Sequence, residues 1–379
     1  MQILFLDHVG SLGGAELCLL ELASRLPGAR VVLLEEGPLE AALKARGVAT
    51  LVIPAPAHFH DASREGGLAQ LGAAAAVPGL ARQVAREAKT ADVIVANSQK
   101  AFVVAALAGR LARKPVVWYL HDILSGEHFS RLNRSLGVYL ANHHSRGVLA
   151  NSEASLRAFR AAGGRAEVSI VYNGFSTEPF DAVSEAEVLA LRRELGVEGA
   201  FVAGIFGRLS PWKGQNVFLQ ALAQTEQTRG LVVGEALFGE DAYAKKLRAE
   251  ASELGLSERV QFLGFRRDVP ALMKACDVVV HASTAPEPFG RVVVEGMLAG
   301  RPVVAAQAGG VTEILRHRET GLLTLPGDAG ALASALTRLR TETGLRERLA
   351  AAGREYAETA FSHEEAVSAL TDALETWLE

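Results

Sequence analysis

Short runs of apolar, often β-branched residues alternate along this chain with longer stretches in which apolar positions recur at helical spacing. In the first half the short runs fall at 3–6, 31–34, 50–53, 93–96, 116–119, 148–150 and 168–171, each closed by a polar or Gly-rich turn. Helical patterns such as 15–25 and 80–88 separate them. Strands that are apolar on both sides, joined by helices, belong to a parallel sheet covered on both faces. After Tyr172-Asn173-Gly174 the rhythm passes through a polar segment and a charged helical stretch, 184–195. It restarts with runs at 201–206, 231–233, 260–263, 278–281 and 303–305. The pattern predicts an α/β protein of two doubly wound domains, 1–176 and 177–360. A tail, 361–379, spaces Ala366, Leu370, Ala373, Leu374 and Leu378 as one helical face and is expected to pack back on the first domain. Residues 54–67 read as the one long irregular loop.

At 379 residues the chain exceeds a usual single core, in line with two domains. A net charge of −4 supplies no global basic field for nonspecific nucleic-acid binding, so any anion site must be local. Cys18 and Cys276 each sit inside an apolar stretch. That leaves neither a disulfide framework nor a cysteine metal cluster and fits a reducing cytoplasm. The opening Met1-Gln2-Ile3-Leu4 lacks the basic start and longer apolar segment of a secretory signal and reads as the first strand. The stretch 71–81 is Ala-rich, broken by Pro78 and Gly79, and short of the roughly 20 residues of a membrane span.

Candidate chemistry concentrates in Glu287-Pro288-Phe289-Gly290-Arg291-Val292-Val293-Val294-Glu295, between the run ending at His281 and a helix ending near Gly300. Ligands of open α/β sheets bind beyond the carboxyl ends of the strands, where the unpaired N–H groups of a helix start favour phosphate. Gly290 lets the backbone approach a diphosphate, and Phe289, Arg291 and Val292 offer further N–H groups around it. One turn later, Glu295 can accept two hydrogen bonds from a ribose diol, while Glu287, still in the loop, faces the sugar end of such a ligand. Either glutamate alone reads more readily as a solvated surface group; with Gly290 between them the ligand reading prevails. A second segment, Gly207-Arg208-Leu209-Ser210-Pro211-Trp212-Lys213-Gly214, opens the second domain's first helix. Its two cations can neutralise charge building on a departing diphosphate. No Asp-x-Asp occurs in the chain, which argues against a diphosphate held through a metal ion.

These two segments resemble the signature of glycosyltransferase family four, and the similarity spans nearly the whole chain. The resemblance implies the GT-B fold, in which two Rossmann-like domains face a central cleft and close on the ligand, and transfer with retention at the anomeric carbon. It implies that the family's pattern of Glu, seven residues, Glu falls on Glu287 and Glu295 and its paired basic residues on Arg208 and Lys213. His121, after the run 116–119, matches the family's histidine at the donor sugar, with a structural capping histidine as the alternative. In the family a glycine loop such as Gly10-Ser11-Leu12-Gly13-Gly14-Ala15-Glu16 approaches the donor phosphates and the acceptor, which points to Gly13 and Gly14. That loop departs from the dinucleotide fingerprint G-x-G-x-x-G. The turn at Phe265 and Arg266 would meet the nucleotide base through its backbone, or else is a simple turn with solvated arginines. Thr312, in Gly309-Gly310-Val311-Thr312-Glu313, stands where the family commonly has proline and reads as helix capping beside the site.

The expected activity is transfer of a hexose from a UDP- or GDP-linked sugar to an acceptor hydroxyl, without a metal or other cofactor. Glu287, Arg208, Lys213 and His121 are the residues expected to carry it. A sugar-nucleotide epimerase of the same fold and a non-catalytic sugar-nucleotide-binding protein are the alternatives. The acceptor, a sugar or a lipid-linked one, falls to loops such as 54–67 and 123–134, whose sequence carries no general code. His58, His60 and Asp61 resemble a metal cluster superficially, but no element fixes them, and they read as part of an acceptor loop. Arg131, Arg134, His143, His144 and Arg146 surround the apolar Leu132, Leu136, Tyr139 and Leu140. Two readings stay open for that stretch: a helix packed on its own core, or a peripheral contact with an anionic membrane at its inner face.

Overall fold

The computed structural model describes residues 1–60, 69–126, 129–236 and 239–379. They form two compact units, one of Met1–Gly174 with His363–Glu379, the other of Phe175–Ser362. In the first unit the strands β1 (Ile3–Asp7), β2 (Arg30–Leu33), β3 (Ala49–Val52), β4 (Val93–Ala96), β5 (Val116–Leu120), β6 (Gly147–Ala150) and β7 (Val168–Ile170) make one parallel sheet in the order β3-β2-β1-β4-β5-β6-β7. The chain therefore starts at the centre, winds outward to β3, returns beside β1 and winds the other way. The loops leaving β1 and β4 diverge, and the crevice at their carboxyl ends is the topological switch point, where open α/β sheets bind ligands.

Both central strands are buried along their whole length, which is why they appear as unbroken apolar runs. Alternation along each strand then sorts side chains between two cores. Leu4, Leu6, Ile94, Ala96 and Trp118 face Phe102, Ala105, Leu80 and Val84 of the helices Gln99–Ala112 and Ala69–Glu87. Ile3, Phe5, Val93, Val95 and Val117 face Leu19 of helix Gly14–Ala23 and Leu370, Leu374 and Trp377 of the terminal helix His363–Leu378. That terminal helix seats so closely that a Cβ on Gly147 would come within 2.7 Å of the Trp377 ring.

The second unit repeats the logic with β8 (Phe201–Phe206), β9 (Thr228–Val233), β10 (Val260–Gly264), β11 (Val278–His281), β12 (Val303–Ala306) and β13 (Leu322–Thr324), all parallel in the order β10-β9-β8-β11-β12-β13. Its switch point lies between β8 and β11. No helix among the described residues is long and apolar enough to cross a membrane.

Two local expectations need correction. Pro78 does not break its segment: helix Ala69–Glu87 runs through it. An interior proline forfeits one hydrogen bond and costs about 3 kcal/mol, which the burial of Leu80, Ala81 and Val84 behind it offsets. The loop 54–67 contains a short helix, Ala57–His60, whose Phe59 is buried; residues 61–67, Asp61 included, lie outside the described residues. The stretch around Leu132 is apolar on two faces, with Gly137, Val138 and Ala141 buried while Leu132, Leu136 and Tyr139 are exposed.

Candidate active site

At the switch point of the second unit, the loops leaving β8 and β11 are pressed together backbone against backbone. Gly214 closes the first loop in the left-handed region, φ 72°, and a Cβ there would lie 1.8 Å from the carbonyl oxygen of Ala282. The Thr284 N–H donates to the Trp212 carbonyl at 2.8 Å, a second tie between the same loops. A third loop, leaving β12, supports them from the far side. The Gly310 N–H donates to the Glu287 carbonyl at 2.8 Å, and Gly309, φ 62°, lies where a Cβ would come within 2.1 Å of that same oxygen. Thr312 does not cap the helix Val311–Ile314 that follows: its hydroxyl donates to the Gly309 carbonyl at 2.9 Å, bracing the turn instead.

Those backbone ties aim the side chains. Lys213 Nζ donates to Glu287 Oε1 at 2.6 Å, Ser283 Oγ donates to the same oxygen, and His281 Nε2 lies 2.9 Å from it, at ion-pair distance but off the angle of a hydrogen bond. Burial of Glu287 opposes its ionisation, yet Lys213 and His281 outweigh that and hold its carboxyl well below the usual range. Glu287 is thus a fixed negative charge with little basicity. Lys213 Nζ also sits 4.3 Å from the centre of the Trp212 ring, and Arg208 Cζ 5.9 Å from the same ring, so one indole gathers both cations. Arg208 Nε lies 3.8 Å from Glu240 Oε2.

Gly290, φ 108°, starts the helix Arg291–Leu298, and the first N–H groups of any α-helix lack intrahelical partners. Phe289 is anchored by packing, its ring 6.1 Å from Phe175 and 5.8 Å from Phe361, which pins the backbone of the helix start. Val292 and Glu295 are half-buried, and Arg291 Nη2 reaches Glu295 Oε1 at 3.4 Å. Phe265 and Arg266 lie elsewhere: they follow β10, two strands from the switch point, with Phe265 63% exposed and Arg266 forked onto Asp268 through Nε–Oδ1 at 2.8 Å.

The switch point of the first unit holds a polar chain. Asn97 Nδ2 donates to Asp7 Oδ2 at 2.6 Å and to the Ala15 carbonyl at 3.2 Å, which turns Asn97 Oδ1 toward His121 Nε2, 2.8 Å away. An amide oxygen only accepts, so His121 carries a proton on Nε2. His8 Nδ1 meets Ser98 Oγ at 2.7 Å and Asp7 Oδ1 at 3.3 Å. Burial opposes ionisation of Asp7, and hydrogen bonds from His8 and Asn97 nonetheless keep its carboxyl low. Glu16 moves the other way: burial, then the nearby Asp7 charge, pushes its carboxyl up to about 7. Gly13 precedes helix Gly14–Ala23 and donates its N–H to Glu16 Oε2 at 3.0 Å, a contact that a Cβ on Gly13 would obstruct at 2.5 Å.

Four members of these clusters escape a reading by motif: Asp7, Asn97, His281 and Ser283. The signal available is positional. Asp7 and His281 are the last residues of β1 and β11, Asn97 is the first residue after β4, and each is a buried polar side chain where a buried apolar strand gives out.

Comparison with known proteins fits this geometry. The family model described as Glycosyl transferases group 1 matches residues 189–356, and that of Glycosyltransferase Family 4 matches residues 12–179. The crystal structure of Anabaena Alr3699/HepE in complex with UDP and glucose superposes with a TM-score of 0.90 at 44% identity, covering 99% of this chain and 100% of that one. The lipopolysaccharide core biosynthesis glycosyltransferase LpsD of Rhizobium meliloti is 32% identical over 214 residues, 56% of this chain and 58% of that protein. The D-inositol 3-phosphate glycosyltransferase of Stackebrandtia nassauensis is 34% identical over 202 residues, 50% of this chain and 45% of that protein. The matches thus span about half the length of these curated relatives. With similarity to HepE running end to end and two parallel-sheet units of seven and six strands, the chain belongs to the group 1 glycosyltransferases and has the GT-B fold.

Proposed function

We propose that this protein transfers a hexose from a nucleoside diphosphate sugar to an acceptor hydroxyl, with retention at the anomeric carbon and without a divalent metal. The observation that carries the reading is the Lys213–Glu287 pair, 2.6 Å apart beside Arg208 and the Gly290 helix start at one switch point. In this scheme the N–H groups of Gly290, Arg291 and Val292 and the side chains of Arg208 and Lys213 take up the charge of the leaving diphosphate. Glu295 accepts from the ribose diol, and the backbone at Phe265 and Arg266 meets the base. Of the two nucleotides open in the sequence, UDP is favoured, because HepE, 43% identical, has a structure in complex with UDP-glucose.

Glu287 serves as an electrostatic partner for positive charge at the anomeric carbon rather than as a nucleophile, since its Oε1 is already held by Lys213 and Ser283. His121 contacts the donor sugar, and Asn97, itself fixed by Asp7, sets its tautomer. Gly13 and Gly14 let the backbone approach the ligand. A sugar or lipid-linked acceptor is taken by the first unit, in the cytoplasm.

Incubation with UDP- and GDP-linked hexoses and candidate acceptors, following nucleotide release and the anomeric configuration of the product by NMR, tests this reading. Acceptor-dependent release of UDP with a retained configuration is the expected result. A donor sugar inverted at a ring carbon without nucleotide release identifies an epimerase, and binding without turnover identifies a sensor; either outcome overturns the proposal.

A further inference from the structure

One side of the first unit carries a feature that the donor chemistry does not use. Helix Arg131–His144 buries Gly137, Val138 and Ala141 against the sheet, yet on its opposite face Leu132, Leu136 and Tyr139 are 66%, 39% and 55% exposed. These positions recur at helical spacing and continue to His143, whose ring is 4.7 Å from that of Tyr139, so they form one stripe along the helix. Leu111, 52% exposed, ends the adjacent helix Gln99–Ala112. Four of the ten most exposed large apolar side chains among the described residues therefore lie on two neighbouring helices, whereas isolated exposed apolar residues are ordinary.

The charge carried by these two helices themselves is one-sided. Neither the segment 99–121 nor 129–152 contains an Asp or Glu, in a chain whose net charge is −4. Arg110, Arg113 and Lys114 at the end of one helix and His143, His144 and Arg146 at the end of the other line a common open cavity of about 990 Å³, with the carboxylates of Asp92, Glu375 and Glu379 also on its lining. Arg131 and Arg134 flank the other end of the stripe. That end starts only ten residues beyond His121, so the face reaches the end of the unit that carries His121.

We propose that this face docks on a lipid bilayer containing anionic phospholipid, with Leu132, Leu136 and Tyr139 entering the interface and the surrounding cations on headgroup phosphates. Apolar side chains laid along a helix and bordered by Arg and Lys match the layered chemistry of such a surface. A nucleic acid would match the cations but leave the leucines exposed, and a second copy of a net-acidic chain would need an acidic apolar counterpart. The proposal does not rest on the donor assignment.

The test is co-sedimentation of the purified chain with phosphatidylcholine vesicles, with and without phosphatidylglycerol, at low and high salt. Binding should require phosphatidylglycerol and fall with salt. Arg110→Glu/Arg113→Glu should weaken it about tenfold or more, and Leu136→Glu/Tyr139→Glu should abolish it, both variants keeping the wild-type melting temperature because these side chains are exposed. Inorganic phosphate at millimolar concentration should not displace the chain. The proposal is overturned if the chain ignores phosphatidylglycerol vesicles, if either variant binds them like wild type, or if free phosphate competes. It is equally overturned if the stripe variant instead dissociates a dimer on size-exclusion chromatography.

Discussion

At the scale of single residues, the site depends on carboxylates whose surroundings set their charge. Glu287 is buried and ionised because Lys213 and His281 face it, so removing it strands the Lys213 charge. Glu287→Ala should cost about 3 kcal/mol, the lower end for a broken buried pair, because the Lys213 side chain keeps 22% exposure. Glu287→Gln/Lys213→Met should regain much of that stability and none of the activity; chemical denaturation and a transfer assay on the same samples check both. Glu16 behaves oppositely. Its carboxyl is raised from 4.5 to about 7, so the folded state binds its proton more tightly than the unfolded chain does. The resulting stabilisation is full below pH 4.5 and is lost as pH rises through 7. Glu16→Gln should therefore raise the melting temperature relative to wild type at pH 8 and change it little at pH 4; an equal shift at both would contradict the account.

At the scale of elements, three loops are locked by glycines that allow backbone to touch backbone. Gly214→Ala would place a methyl 1.8 Å from the Ala282 carbonyl in a left-handed conformation, so the loops after β8 and β11 would part. A loss of about 3 kcal/mol or more is expected, together with loss of UDP-induced stabilisation. Gly207→Ala is the control: φ is 129° there but no atom lies within 4 Å of the added methyl, so only the local conformational strain applies. Comparable melting curves for the two variants would refute this view of the loops.

Twelve of the thirteen strands among the described residues could be read directly: the central ones are buried along their length and leave unbroken apolar runs, and the more exposed β3, β7 and β10 still carry apolar or β-branched residues. β13 was not among them; it is a three-residue edge strand, like β7, which was legible only as part of the longer apolar run 168–171. The helix through Pro78 was hidden because packing, not propensity, decides whether a proline is tolerated. In the candidate site, loop glycines beside charged residues were legible, and Lys213 and Glu287, 74 positions apart, do meet. His281, Ser283 and Asn97 were not, because a single polar residue ending a strand has no motif, and only the assembled sheet shows what it touches.

At the scale of the molecule, two parallel sheets each present a switch point, and buried carboxyls with shifted ionisation sit there: Asp7 and Glu16 in one unit, Glu287 in the other. The central claim is that a nucleoside diphosphate sugar is held at the second of these. A crystal structure of the complex with UDP tests it most directly. The account predicts the diphosphate within hydrogen-bond reach of the Gly290–Val292 N–H groups and of Arg208 and Lys213, with the ribose on Glu295. UDP bound away from these residues, or at this crevice with its phosphates turned from both cations, would contradict it.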